Sequence, residues 1–146
     1  MGKIIDISMD LNERTVVWKE DMPPKFEAVA RIPEAPVNFT WLNFGSHAGT
    51  HVDAPFYLFN DGWTSDQIPL SRLIGRCQVL DLTDVKDIIK AEDLRRHNIR
   101  QPRVLLKTKN SYDPMVAYNP NHVAIDESAA RHLVQQGVTT LGYDYQ

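Results

Sequence analysis

The run at 47–57, His-Ala-Gly-Thr-His-Val-Asp-Ala-Pro-Phe-Tyr, constrains this chain more than any other stretch. It places two imidazoles and a carboxylate within seven positions, interleaved with Gly49 and Pro55. His47, His51 and Asp53 are all odd-numbered, so an extended backbone would point all three to one face. A helix would align His47 with His51 but turn Asp53 about 200° away from His51, and Gly49 and Pro55 both resist helix. A straight strand also fails if the three groups are to hold one ion. Four residues of strand span roughly 13 Å, whereas each His nitrogen must sit about 2.0–2.1 Å from a zinc. The chain is therefore expected to bend between the histidines, with Gly49 taking the dihedrals the bend needs. Beyond it, His51 and Asp53 keep a same-face spacing suited to two ligands. This donor set suits a divalent ion, zinc or manganese, and Asp53 argues against a soft thiolate site. A lone His is more often a structural residue, and Asp before Ala-Pro can simply open a turn. Three donors at this spacing favour the ion.

Around that motif the first half reads as short strands at 3–8, 15–18, 27–32 and 37–44. Proline-bearing segments at 22–25 and 33–36 separate them, and Asn60-Asp61-Gly62 is a turn. The second half changes character. A buried strand is expected at 77–82, a short helix at 91–97 and another strand at 104–107. The clearest helix is 126–136: Asp126 can cap its start, Ala129, Ala130, Leu133 and Val134 form an apolar stripe, and Gly137 can end it. A strand at 138–143 follows. A β-rich layer followed by β-α-β units makes one α/β domain over residues 1–146.

Composition narrows the function classes. A net charge of −3 gives no reason to expect nucleic acid or an anionic membrane as a partner. No apolar run approaches membrane-spanning length, and the N-terminus lacks an apolar signal core. Cys77 is the single cysteine, which rules out an intrachain disulfide and favours the cytoplasm. Opening an apolar run, it reads as a small buried hydrophobe. Arg95, Arg96, Arg100 and Arg103 read as a solvated basic surface.

The motif His-x-Gly-Thr-His-x-Asp-x-Pro resembles the signature of the cyclase-type metal hydrolases, which include bacterial kynurenine formamidases and isatin hydrolases. Further segments are similar to that family: Ile4-Ile5-Asp6-Ile7-Ser8, Val17-Trp18 with Asp21, Ile68-Pro69-Leu70, Leu73-Ile74-Gly75, Val79-Leu80-Asp81-Leu82, Val104-Leu105-Leu106-Lys107-Thr108 and Leu141-Gly142-Tyr143-Asp144. The resemblance implies a swivelling β/β/α fold, His47, His51 and Asp53 as metal ligands, and Trp18 on an aromatic-bearing loop lining the pocket. It also implies a small-molecule amide as substrate, such as an aryl formamide like N-formylkynurenine or a cyclic imide, and a homodimer. Two departures carry expectations of their own. Formamidases place a further His where this chain has Tyr57, so one ion is expected rather than two; a phenol, with a pKa of about 10, is a poor ligand near neutrality. Tyr57 is instead expected to face substrate and donate a hydrogen bond. The family's catalytic His and Glu come from a segment beyond Gln146, so relative to the family the chain is C-terminally incomplete, its catalytic acid lies outside this sequence, and weak activity or none is expected of these 146 residues even with metal bound.

Other residues have lesser claims. His97 is expected at a helix C-terminus, His132 on the surface of the 126–136 helix, and Phe56 in the core. His122 sits in a loop and could reach a site. A non-catalytic member of the family that binds a metal or ligand is one alternative. A mononuclear iron oxygenase is another, with His51 and Asp53 joined by His122 or His132; it leaves His47 without a role.

Overall fold

The computed structural model describes residues 3–145. They form two compact units, 3–53 with 115–118, and 54–114 with 119–145. In chain order the regular elements are β1 (Lys25–Ala30), β2 (Phe39–Asn43), α1 (Leu70–Leu73), β3 (Gln78–Asp81), β4 (Ile88–Ile89), α2 (Ala91–Arg95), β5 (Arg103–Lys107), β6 (Ala124–Ile125), α3 (Glu127–Gln135) and β7 (Thr140–Tyr143). The α/β character and the late β-α-β units follow the expectation from sequence.

The second unit is built on a parallel sheet in the order β3-β5-β7, with Gln78 opposite Val104 and Arg103 opposite Thr140. Side chains alternate across such strands. Leu80, Val104 and Leu106 therefore turn one way and are almost fully buried, while Val79 and Leu105 turn the other way and stay exposed. Onto the buried face pack Leu94 of α2 and Ala129 and Leu133 of α3, joined by Leu82, Val85, Ile89 and Val123. The capping of α3 is as expected. The Asp126 carboxylate accepts the Ala129 amide at 2.9 Å, and Gly137 closes the helix at φ 78°. The Ala129 amide and the Ser128 hydroxyl together hold the Asp126 carboxyl below its ordinary value. Only half of the expected stripe faces inward, however: Ala129 and Leu133 are buried while Ala130 and Val134 lie in solvent. The i, i+4 pair Ala129 and Leu133 is the part of the stripe that joins the core.

Three further expectations are corrected in this unit. Cys77 is exposed rather than buried, because β3 begins one residue later and the thiol precedes the packed face. Phe56 lies in a 3-10 turn at Pro55–Tyr57 and is half exposed, since the chain turns before any strand could carry it inward. Arg103 is no solvated surface cation. Its guanidinium donates to the carbonyls of Ser71, Arg72 (2.8 Å) and Arg76 (3.4 Å), fastening the turn after α1 to β5. Arg95, Arg96 and Arg100 are exposed, with Arg96 ion-paired to Asp84. His97 lies two residues past α2, with Nε2 buried and lacking a hydrogen-bond partner.

The first unit contains the antiparallel pair β1–β2, with Lys25 opposite Asn43 and a register shift between Ala28 and Ala30. The expected strands at 3–8 and 15–18 do not form. Both segments have strand-like composition, but neither finds a ladder partner, and β-propensity without pairing does not make a strand. Residues 3–14 are exposed throughout, with Ile4 95% and Ile7 82% accessible. The segment 12–15 is instead a turn closed by the buried Thr15. Its amide donates to the Asn12 carbonyl (2.9 Å), and its hydroxyl accepts the Asn12 amide (2.8 Å).

Candidate metal centre

Directly after β2 the chain turns, with the Ala48 amide donating to the Gly45 carbonyl at 3.1 Å. Gly49 follows at φ 68°, the left-handed region where a side chain would be strained. This is the bend expected between the histidines, and it brings all three donors to one point. His47 Nδ1 lies 2.8 Å from Asp53 Oδ1, His51 Nε2 lies 3.4 Å from the same oxygen, and the two ring nitrogens are 3.2 Å apart. The rings stand nearly perpendicular, at 79°. All three side chains are partly accessible, so the point on which they converge can be reached from solvent.

The geometry fits an ion. Ligands about 2.0–2.2 Å from a tetrahedral zinc lie roughly 3.3–3.5 Å from one another. The three separations differ from that by a few tenths of an ångström at most, save the His47–Asp53 contact at 2.8 Å. Hydrogen bonding adds a chemical argument. His51 Nδ1 is 2.9 Å from the Gly49 carbonyl. A carbonyl only accepts, so Nδ1 carries the proton. In a neutral ring Nε2 then presents a lone pair, and it faces a carboxylate oxygen that also only accepts. Two acceptors this close need a donor or a cation beside them: the proton on His47 Nδ1, which lies within reach of both, or a metal ion in its place. A backbone carbonyl fixing the tautomer of a ligating imidazole is the usual arrangement at metal sites. Among the described residues, His47, His51 and Asp53 are the single group of three or more His, Cys, Asp or Glu side chains close enough to hold an ion.

The family follows from a match along nearly the whole sequence: the model for Cyclase, described as putative cyclase, covers residues 5–146. The chain belongs to the cyclase family. A kynurenine formamidase of Salinibacter ruber (strain DSM 13855 / M31) is 30% identical to this chain over 144 residues, covering 97% of the chain and 68% of its own length. A solved structure described as a potential metal-dependent hydrolase with cyclase activity matches with a TM-score of 0.81 at 32% identity, over 97% of this chain and 67% of that one. An isatin hydrolase bound to the product analogue thioisatinate shares the fold, with a TM-score of 0.77 at 18% identity over 95% of this chain and 65% of its own. The chain thus spans about two thirds of the length of these proteins.

The remaining candidates are placed as follows. Trp18 lines a cavity of about 340 Å³ in the first unit, together with Val16, Val17, Pro23, Val116 and Tyr118. None of the three metal-site residues lines it. Tyr57 is an exposed residue of the second unit, on the 3-10 turn at Pro55–Tyr57. His122 stacks on Tyr145 (4.4 Å, 9°) with Nδ1 3.0 Å from the Asn119 carbonyl, and His132 lies within α3. Neither belongs to the metal-site group, so the triad of His51 and Asp53 with His122 or His132 does not form among the described residues. Reading the sequence missed Tyr118, which meets Trp18 edge to face at 4.7 Å. No local pattern marks it, because the segment 115–118 joins the first unit from far along the chain.

Proposed function

We propose that this chain hydrolyses the amide bond of a small molecule, an aryl formamide such as N-formylkynurenine or a cyclic imide, at a single divalent ion held by His47, His51 and Asp53. The observation that carries this reading is the convergence of two imidazole nitrogens and a carboxylate oxygen around the Gly49 bend. A zinc or manganese ion there would polarise the carbonyl and acidify a water at neutral pH. The chain's own contribution is to hold the donors. The Gly49 carbonyl fixes the His51 tautomer. Asp53 brings a negative charge to the cation and lies close to both rings. The kynurenine formamidase name of a 30% identical relative supports the amide substrate.

In this proposal Trp18 receives the flat part of the substrate, with Tyr118 as a second aromatic wall. Paired rings at 4.7 Å and a volume within the range of ligand pockets support that role. Tyr57 donates a hydrogen bond to substrate through its exposed phenol. A homodimer is proposed as well. The first unit leaves Ile4, Ile7, Trp41 and Leu42 more than half exposed, an apolar surface suited to a second copy. No helix among the described residues is long and apolar enough to cross a membrane. The proposed setting is the cytoplasm, in keeping with an exposed thiol at Cys77.

The test is release of formate from an aryl formamide, with and without a chelator, by the wild-type protein and by His51→Ala. Turnover that the chelator stops, that zinc or manganese restores, and that the variant lacks is the expected result. Turnover indifferent to chelator and variant contradicts the proposal. Ion binding without hydrolysis by these 146 residues, with turnover by a form extended beyond Gln146, is the outcome of an acid lying outside this sequence; no hydrolysis by either form favours the non-catalytic alternative.

A further inference from the structure

The bend that carries the metal-site residues is tied to the chain far upstream of it. The Met9 amide donates to Thr50 Oγ1 at 2.9 Å, across 41 positions of sequence. Thr50 stands between Gly49 and His51, on the single segment whose shape decides whether the donors converge. On the same side, Leu11 Cδ1 lies 3.5 Å from the point where a side chain on Gly49 would begin, so the upstream segment covers the bend as well as bonding to it. That segment is itself fixed. The buried Thr15 hydroxyl donates to the Asp10 carbonyl at 3.1 Å and accepts the Asn12 amide at 2.8 Å. All of these residues belong to the first unit.

We infer that Thr50 is a positioning residue for the metal centre: its hydroxyl latches the 9–15 segment onto the Gly49 bend and so holds His47, His51 and Asp53 in a geometry ready for the ion. The need for such a latch comes from the surroundings. Residues 43–46 and 50 are exposed and Ala48 is the one buried side chain of the bend, so little core packing holds it in shape. A left-handed glycine is also free to leave its conformation, because glycine populates both signs of φ at similar cost. A hydrogen bond from a fixed backbone amide, made once the bend has formed, selects one arrangement among those Gly49 allows. Residues that orient ligands without touching the metal change affinity by about 10–100-fold when removed.

This inference rests on the metal reading above, and its test separates the two. Zinc affinity is measured by competition with a chromophoric chelator for the wild-type protein, Thr50→Val and Thr50→Ser, with circular dichroism to show that each variant is folded. Thr50→Val keeps the branched shape and removes the acceptor. It is expected to bind about 10–100-fold more weakly, while Thr50→Ser restores the affinity. Wild-type affinity in Thr50→Val overturns the latch and leaves the metal centre standing. Serine as weak as valine shows that the hydroxyl is not the operative group and overturns it too. Failure of the wild-type protein to bind zinc overturns the metal reading and this inference together.

Discussion

Each of the two units of this chain owes its internal order to different means. In the second, Leu80, Leu94, Val104, Leu106 and Leu133 are nearly or fully buried against one another, and helix caps and the Arg103 clamp serve a core that already exists. In the first, most apolar side chains remain accessible, and order comes from the β1–β2 ladder and from individual bonds: the Thr15 turn, the Met9–Thr50 contact and the Gly49 bend. The proposed metal ligands His47, His51 and Asp53 lie in this less buried unit. A site built on scattered hydrogen bonds gains more from its ion than one built on a core, because binding free energy becomes ordering free energy.

That contrast can be broken or sharpened by four substitutions. His51→Ala should have the largest effect, abolishing stoichiometric zinc binding by calorimetry while hydrogen exchange in β3, β5 and α3 stays at its wild-type level. Slower or faster exchange in that sheet would show that the units are not separable in this way. Leu94→Ala should lower the unfolding free energy by about 2–5 kcal/mol, as removal of a fully buried leucine does, measured by denaturant titration. Gly49→Ala should cost about 1–2 kcal/mol through left-handed backbone strain, since Leu11 at 3.5 Å leaves ordinary van der Waals room; it should also weaken ion binding. Smallest of all, Ile7→Ala in the exposed segment should change stability by no more than about 0.5 kcal/mol. A loss comparable to that of Leu94→Ala would mean that Ile7 is covered in solution, which is the outcome a homodimer would produce.

Acid should act on the second unit through α3. The Ala129 amide and the Ser128 hydroxyl favour the ionised Asp126 in the folded chain, so its folded pKa lies below the unfolded one. The cap's contribution is therefore complete above the unfolded carboxylate range, about 3.9, and disappears as pH falls through the folded value. Asp126→Asn should flatten this part of the acid limb in a thermal melt followed by helix circular dichroism.

What could be read from sequence was what is local. The donors at 47, 51 and 53 and the glycine between them sit within seven residues, so ligand chemistry alone demanded the bend that the structure contains. The α3 helix was equally legible, because Asp126 and Gly137 mark its ends without help from the rest of the fold. What escaped depends on residues distant in sequence. Arg103 looked like one more surface arginine until its three carbonyl partners around α1 were in place. Tyr118 and the Met9–Thr50 bond have no sequence signature at all. The misread segments at 3–8 and 15–18 show the converse. Their composition suits a strand, but a strand exists only with a partner, and composition does not name one.

The most direct test of the metal centre is the X-ray absorption spectrum of the protein loaded with one equivalent of zinc. Two imidazole nitrogens and a carboxylate oxygen in the coordination sphere, at about 2.0–2.2 Å, is the result expected. A bound zinc without imidazole scattering, or one that fits sulfur at about 2.3 Å, would contradict it.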